Sequence, residues 1–220
     1  MKPRVSHQKT AAMTLVEVFV VIVVLFVLVA VFLRPTSRRY PSMRSRCTQN
    51  LKQIGLAYYV WAGDHNGKFP MQVSVADGGT LELNNGSNAL ATFLVMTNEL
   101  ATPKALWCPA DTDRAVATVF TAGFAGFSAK NVSYFVGLDA DKGHPQTLLS
   151  GDSNFTVGGL PVESGLLEFS TNAPITWADT VHGDCGNIGL VDGSVTLVSL
   201  QRLPQVIQNT GVATNRLAIP

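Results

Sequence analysis

Ala11-Ala12-Met13-Thr14-Leu15-Val16-Glu17 opens an apolar run that ends at Leu33, and Glu17 is the only charged residue between Met13 and Leu33. The rest of the run is almost wholly Val, Leu, Ile, Phe and Ala. As a helix, residues 13–33 cover about 31 Å at about 1.5 Å per residue, which matches a hydrocarbon core. A secretory signal has a shorter apolar region followed by small residues at a cleavage site. Here Leu33-Arg34-Pro35 follows instead. The run therefore predicts a transmembrane helix over 13–33. A carboxylate one turn inside such a helix is costly unless a cation meets it, which makes Glu17 a candidate functional residue. The simpler reading leaves Glu17 protonated at the interface, without a role.

Both flanks of the run are basic. Residues 1–12 carry Lys2, Arg4 and Lys9 and no acid, while Arg34, Arg38, Arg39, Arg44, Arg46 and Lys52 follow the run. Counted alone, the second cluster would hold the C-terminal part in the cytoplasm. Residues 1–52 have a net charge of +8 and residues 53–220 a net charge of −7. A mildly acidic C-terminal part lacks the basic footprint that phosphate binding requires, so nucleic acid is not an expected partner.

Beyond Pro35 and Pro41, which interrupt a helix, Met43, Cys47, Leu51, Ile54, Tyr58 and Trp61 recur at spacings of three and four. They predict one face of an amphipathic helix. Gly63-Asp64-His65-Asn66-Gly67 ends it. Residues 34–62 are thus a helical neck and 63–220 a globular domain. In that domain residues 88–100 read as a short helix capped by Ser87 or Asn88. Residues 131–138 and 146–151 read as strands, and the tail from Leu203-Pro204 as a short helix followed by fraying. Asp192-Gly193 between two apolar runs is a hairpin signal favouring a type I′ turn. That turn sets Leu190 opposite Val195 and Ile188 opposite Leu197.

Met13-Thr14-Leu15-Val16-Glu17 resembles the cleavage and methylation motif of type IV prepilins and type II secretion pseudopilins. The match places cleavage between Ala12 and Met13, releasing residues 1–12 as a leader. The new amine at Met13 then neutralises Glu17 on its own or a neighbouring subunit. Ala12 stands where the family usually has Gly, and Met13 where it usually has Phe. Three further blocks, Arg46-Cys47-Thr48-Gln49-Asn50-Leu51-Lys52-Gln53-Ile54-Gly55-Leu56-Ala57, Asn66-Gly67-Lys68-Phe69-Pro70 and Trp107-Cys108-Pro109-Ala110-Asp111, resemble a pseudopilin-like group abundant in planctomycete and verrucomicrobial lineages. His182 and the Asp192-Gly193 pair, with nine residues between them, match that group's C-terminal hallmark.

The resemblance implies an α+β, pilin-like fold, in which a long N-terminal transmembrane-plus-amphipathic helix packs on a C-terminal antiparallel β-sheet. It implies a structural subunit of a type II secretion pseudopilus or type IV pilus-like filament, processed by a prepilin peptidase and assembled through its N-terminal helix. The expected partners are homologous pilin or pseudopilin subunits, the peptidase and the inner membrane. The expected location is a single-pass inner-membrane protein with its C-terminal domain periplasmic, or extracytoplasmic in a filament. A peptidase with a cytoplasmic active site requires the N-terminus inside, which opposes the arginine count. The alternative is a membrane-anchored periplasmic enzyme or carbohydrate-binding module, although eighteen aromatic residues are no excess for a sugar-binding surface.

Three cysteines are too few for a disulfide scaffold and lack zinc spacing. An oxidising compartment allows one bridge. Cys47 and Cys108, which both lie in the family blocks, are the expected pair, with Cys185 left over. Three free, buried thiols are the other reading. His182, Asp184 and Asp192, with Asp179 and Asp152, suggest either a site or a structural histidine whose ring ties a loop to the Asp192-Gly193 turn. No nucleophile accompanies them at a recognisable spacing. No cofactor is expected, with calcium between Asp179 and Asp184 as the variant reading. No nucleophile elbow, phosphate loop or dinucleotide fingerprint occurs, so the sequence points to no enzyme.

Overall fold

The structure, a computed structural model, describes residues 15–32, 43–86, 88–121 and 126–220. The chain divides into two compact units, Met1–Tyr40 and Pro41–Pro220.

In the first unit, α1 (Leu15–Phe32) is an 18-residue helix. No helix among the described residues is long and apolar enough to cross a membrane. This corrects the sequence expectation of a transmembrane helix over 13–33, and with it the single-pass inner-membrane location. The transmembrane part of the expected long N-terminal helix is withdrawn with it, and the described residues hold α1 in one unit and a second helix in the other. The Ala12–Met13 junction lies outside the described residues.

The second unit begins with α2 (Met43–Asp64), whose buried side chains are Cys47, Leu51, Ile54, Ala57, Tyr58, Trp61 and Ala62. Their spacing of three or four puts them on one face, which is why this stretch folds as a helix against a core. Burial of each large apolar side chain contributes about 1.5–3 kcal/mol. Asn66 and Gly67 then take left-handed backbone, with φ of 54° and 79°, and the Gly67 N–H reaches back to the Ala62 carbonyl at 2.8 Å. That contact is the long-range bond of a Schellman ending. Short 3-10 turns lead to α3 (Ala89–Val95) and α4 (Thr97–Leu100). The Asn88 side chain accepts the Ala91 N–H at 3.0 Å and so caps α3.

Two sheets follow. In the larger sheet β1 (Tyr134–Gly137) and β2 (Leu148–Asp152) are neighbours, and the smaller sheet takes β3 (Phe155–Val157) and β4 (Leu160–Pro161). Next come β5 (Gly165–Ser170), β6 (Ile175–Trp177), β7 (Cys185–Leu190) and β8 (Val195–Ser199), then α5 (Leu203–Asn209) and β9 (Thr214–Ile219). The larger sheet runs β5-β9-β1-β2-β7-β8 and the smaller β4-β3-β6, with every pairing antiparallel. Tyr134 and Val136 belong to one core with α2, while Phe135 belongs to a second core with Trp177, Leu203 and Ile207. Successive residues of a strand point to opposite faces, so both faces of the large sheet are covered.

Two local expectations change. The tail does not fray, because β9 lies inside the large sheet between β5 and β1, and Leu217, Ala218 and Ile219 are buried. The Asp192-Gly193 hairpin has a three-residue loop rather than a type I′ turn. The Gly193 N–H bonds the Leu190 carbonyl at 3.1 Å and the Leu190 N–H bonds the Ser194 carbonyl at 2.9 Å. Of the two central residues only Gly193 has positive φ, 83°, as in a type I turn closed by a left-handed glycine. The register accordingly moves by one residue, pairing Ile188 with Thr196 and Asn187 with Leu197. A one-residue slip exchanges faces, and Leu197 stands exposed while Ile188 is buried.

Candidate functional site

Beneath the first turns of α2 the fold gathers a buried polar cluster. Cys47 and Thr48 come from α2, Cys108 from the Trp107-Cys108-Pro109 segment, Asp152 from the end of β2, Asn187 from β7, and His182 from the loop before β7. Strands β2 and β7 are neighbours in the sheet, and that adjacency brings Asp152 and Asn187 together.

Cys47 and Cys108 form a disulfide across a sequence separation of 61 residues. His182 Nε2 lies 3.3 Å from Cys108 Sγ and 3.5 Å from Asp152 Oδ2. Asn187 donates to the same Asp152 oxygen from its backbone N–H at 2.6 Å and its side-chain amide at 2.9 Å. Thr48 Oγ1 donates to Asn187 Oδ1 at 2.8 Å, which fixes the amide's orientation and ties the network to α2. The outer wall is Arg44, whose guanidinium donates to the His182 carbonyl at 2.9 Å. Cys185, the free thiol, donates to that carbonyl at 3.1 Å. The Cys108 N–H is held by Ser133 Oγ at 3.1 Å.

Burial sets the protonation of the pair. Desolvation pushes the Asp152 carboxyl up to about 7, against the two Asn187 hydrogen bonds that favour its charged form. Desolvation, then the Arg44 charge, holds the His182 imidazole below its ordinary value. A proton near neutral pH therefore rests on the carboxyl rather than on the ring. Asp152 Oδ1 has no hydrogen-bond partner among the described residues.

The remaining sequence candidates lie elsewhere. His182 does not reach the Asp192-Gly193 turn, since the two stand at opposite ends of β7, a six-residue strand about 20 Å long. Asp192 instead accepts from the Ser194 N–H at 2.8 Å and from Gln146 at 3.1 Å. The turn docks through the Val191 N–H on the Thr147 carbonyl at 3.1 Å and through Tyr59, whose hydroxyl donates to the Val191 carbonyl. Asp179 and Asp184 are exposed, and neither belongs to a group of three or more candidate ligands among the described residues. Glu17 is exposed on α1.

No protein-family model, curated protein or solved structure matches the chain. Function has to be argued from its own residues.

An open groove of about 480 Å³, lined by Met43, Arg44, Ala110, Val181 and His182, runs beside the cluster. A larger hollow of about 570 Å³ at the end of α2 is lined by Asp64, His65, Lys68 and Asp77 among others and shares no residue with the cluster. Sequence reasoning missed Thr48, Asn187 and Arg44. One signal was present. Asn187 sits in the apolar strand Cys185-Gly186-Asn187-Ile188-Gly189-Leu190, where a polar side chain turned inward requires a buried partner.

Proposed function

We propose that this protein is a structural subunit of a pilin-like filament, released from a leader before Met13 by a prepilin-type peptidase and assembled through α1. The observation that carries the reading is α1 itself. Leu15 is 85% exposed, Phe19 65% and Phe26 75%, on a helix whose one charged residue is Glu17. Apolar side chains in such number are costly in water, at about 25 cal/mol per Å². Packing them against the same helix of other copies removes that cost for every subunit in the array. Glu17 then meets the Met13 amine of its own or a neighbouring copy, so that a charge buried in the helix contact is paired. The globular unit stands as the part presented outward.

The motif Met13-Thr14-Leu15-Val16-Glu17 supports the same reading by resemblance. The proposal assigns no reaction to the domain. Its test is Glu17→Val in cells that supply a prepilin-type peptidase, followed by the sheared filament fraction. The variant is expected to be processed but absent from that fraction. Incorporation at the level of the native chain would mean that Glu17 has no part in the subunit contact.

A further inference from the structure

We propose that reduction of the Cys47–Cys108 disulfide turns the buried cluster into a tetrahedral zinc-class site, with both thiolates, His182 Nε2 and the Asp152 carboxylate as ligands. The proposal is independent of filament assembly. The two sulfurs and a His182 ring nitrogen already lie within 4.8 Å of one another, and all three residues are buried. Zinc–sulfur bonds of about 2.3 Å and zinc–nitrogen or zinc–oxygen bonds of about 2.0–2.1 Å need ligand separations of about 3.3–3.8 Å. The imidazole nitrogen meets this on both sides, at 3.3 Å from Cys108 Sγ and 3.5 Å from Asp152 Oδ2. Breaking their bond lets the two sulfurs move apart, and the Asp152 carboxylate, which stands outside that group of three, has to close in on them.

Two further features point to a ligand. Asp152 is 1% exposed, and its Oδ1 is left without a hydrogen-bond partner among the described residues, so the carboxylate has donor capacity that the oxidised cluster does not use. Around it stands the kind of outer shell that orients metal ligands. Asn187 holds the carboxylate, and Thr48 holds Asn187. Two thiolates, one carboxylate and a divalent cation sum to one negative charge, beside which Arg44 stands at the His182 carbonyl. The groove along Met43, Arg44, Ala110, Val181 and His182 gives a path to the imidazole.

The chemistry balances with a dithiol as reductant. It delivers two electrons and two protons to the Cys47–Cys108 bond and leaves as its own disulfide. Zinc then displaces both thiol protons, and the proton that the buried Asp152 carboxyl holds, to water as the two zinc–sulfur bonds and the zinc–oxygen bond form. An oxidant of the disulfide class takes the two electrons back, reforms the sulfur–sulfur bond and expels the metal. The site is therefore occupied in one redox state and closed in the other.

The test uses the full chain in a Cys185→Ser background, reduced with a dithiol, loaded with zinc and desalted. Metal analysis is expected to give one zinc per chain after reduction and none in the oxidised chain. Bound zinc is expected to shield both thiols from alkylation, and cobalt in its place to show a thiolate-to-metal charge-transfer band. His182→Ala and Asp152→Asn are each expected to lower zinc affinity at least about 10-fold. Zinc retained no better than by the Cys47→Ala/Cys108→Ala variant would overturn the proposal. So would retention indifferent to both His182 and Asp152, or a reduced chain that unfolds and is not restored by zinc.

Discussion

Removing the Cys47–Cys108 bridge tests how the domain is held together. The bridge joins α2 to the segment before β1 across 61 residues of sequence. In the chain-entropy treatment, a closed loop of that length restricts the unfolded chain by about 14 cal/mol/K, or about 4 kcal/mol at 25 °C. Both sulfurs are fully buried, so replacing them with alanine also loses packing and adds to the deficit. Against a total stability of about 5–15 kcal/mol for a domain, this is a large share. The assay is equilibrium urea unfolding of the oxidised chain and of Cys47→Ala/Cys108→Ala, followed by tryptophan fluorescence, since Trp61 and Trp177 sit in the two cores. The variant is expected to lose about 4 kcal/mol. A loss below about 1 kcal/mol would refute the reasoning, because the unfolded chain would then gain little freedom from losing the bridge.

Two further outcomes follow from the site and the hairpin. The folded Asp152 carboxyl keeps its proton up to about pH 7, whereas an unfolded aspartate releases it near pH 3.9. The folded state thus binds the extra proton in that window, and Asp152 makes the oxidised protein less stable as pH rises through it. The stability of Asp152→Asn relative to the native chain is expected to climb by up to about 1.4 kcal/mol per pH unit between pH 4 and 7, read from urea midpoints; a flat difference contradicts the assignment. In the hairpin, Gly193→Ala is expected to cost about 1–2 kcal/mol for its left-handed backbone. Asp192→Ala forfeits only exposed hydrogen bonds, so equal losses in a thermal melt would argue for the two-residue turn instead.

The parts of this fold legible in the sequence were those carried by local periodicity. The spacing of Cys47, Leu51, Ile54, Tyr58 and Trp61 marked the buried face of α2, and Asp192-Gly193 marked a hairpin. Its register was not legible, because Asp-Gly serves both a two-residue and a three-residue loop, and the choice shifts every pairing by one. The apolar run suggested a membrane span, but no helix among the described residues is long and apolar enough to make one. β9 escaped notice because its pairing partners, β5 and β1, lie far away in sequence. The same is true of the site. His182 and Asp152 stand thirty residues apart, and only the adjacency of β2 and β7 brings them within 3.5 Å. Spacing within one segment could not show that.

The account's central claim, assembly after removal of a leader, is tested most directly at the mature N-terminus. Intact-mass and N-terminal peptide spectrometry of the protein purified from cells with an active prepilin-type peptidase is expected to find a chain beginning at Met13 with a methylated amine. A chain that still carries Ala11-Ala12 ahead of Met13 in those cells would contradict it.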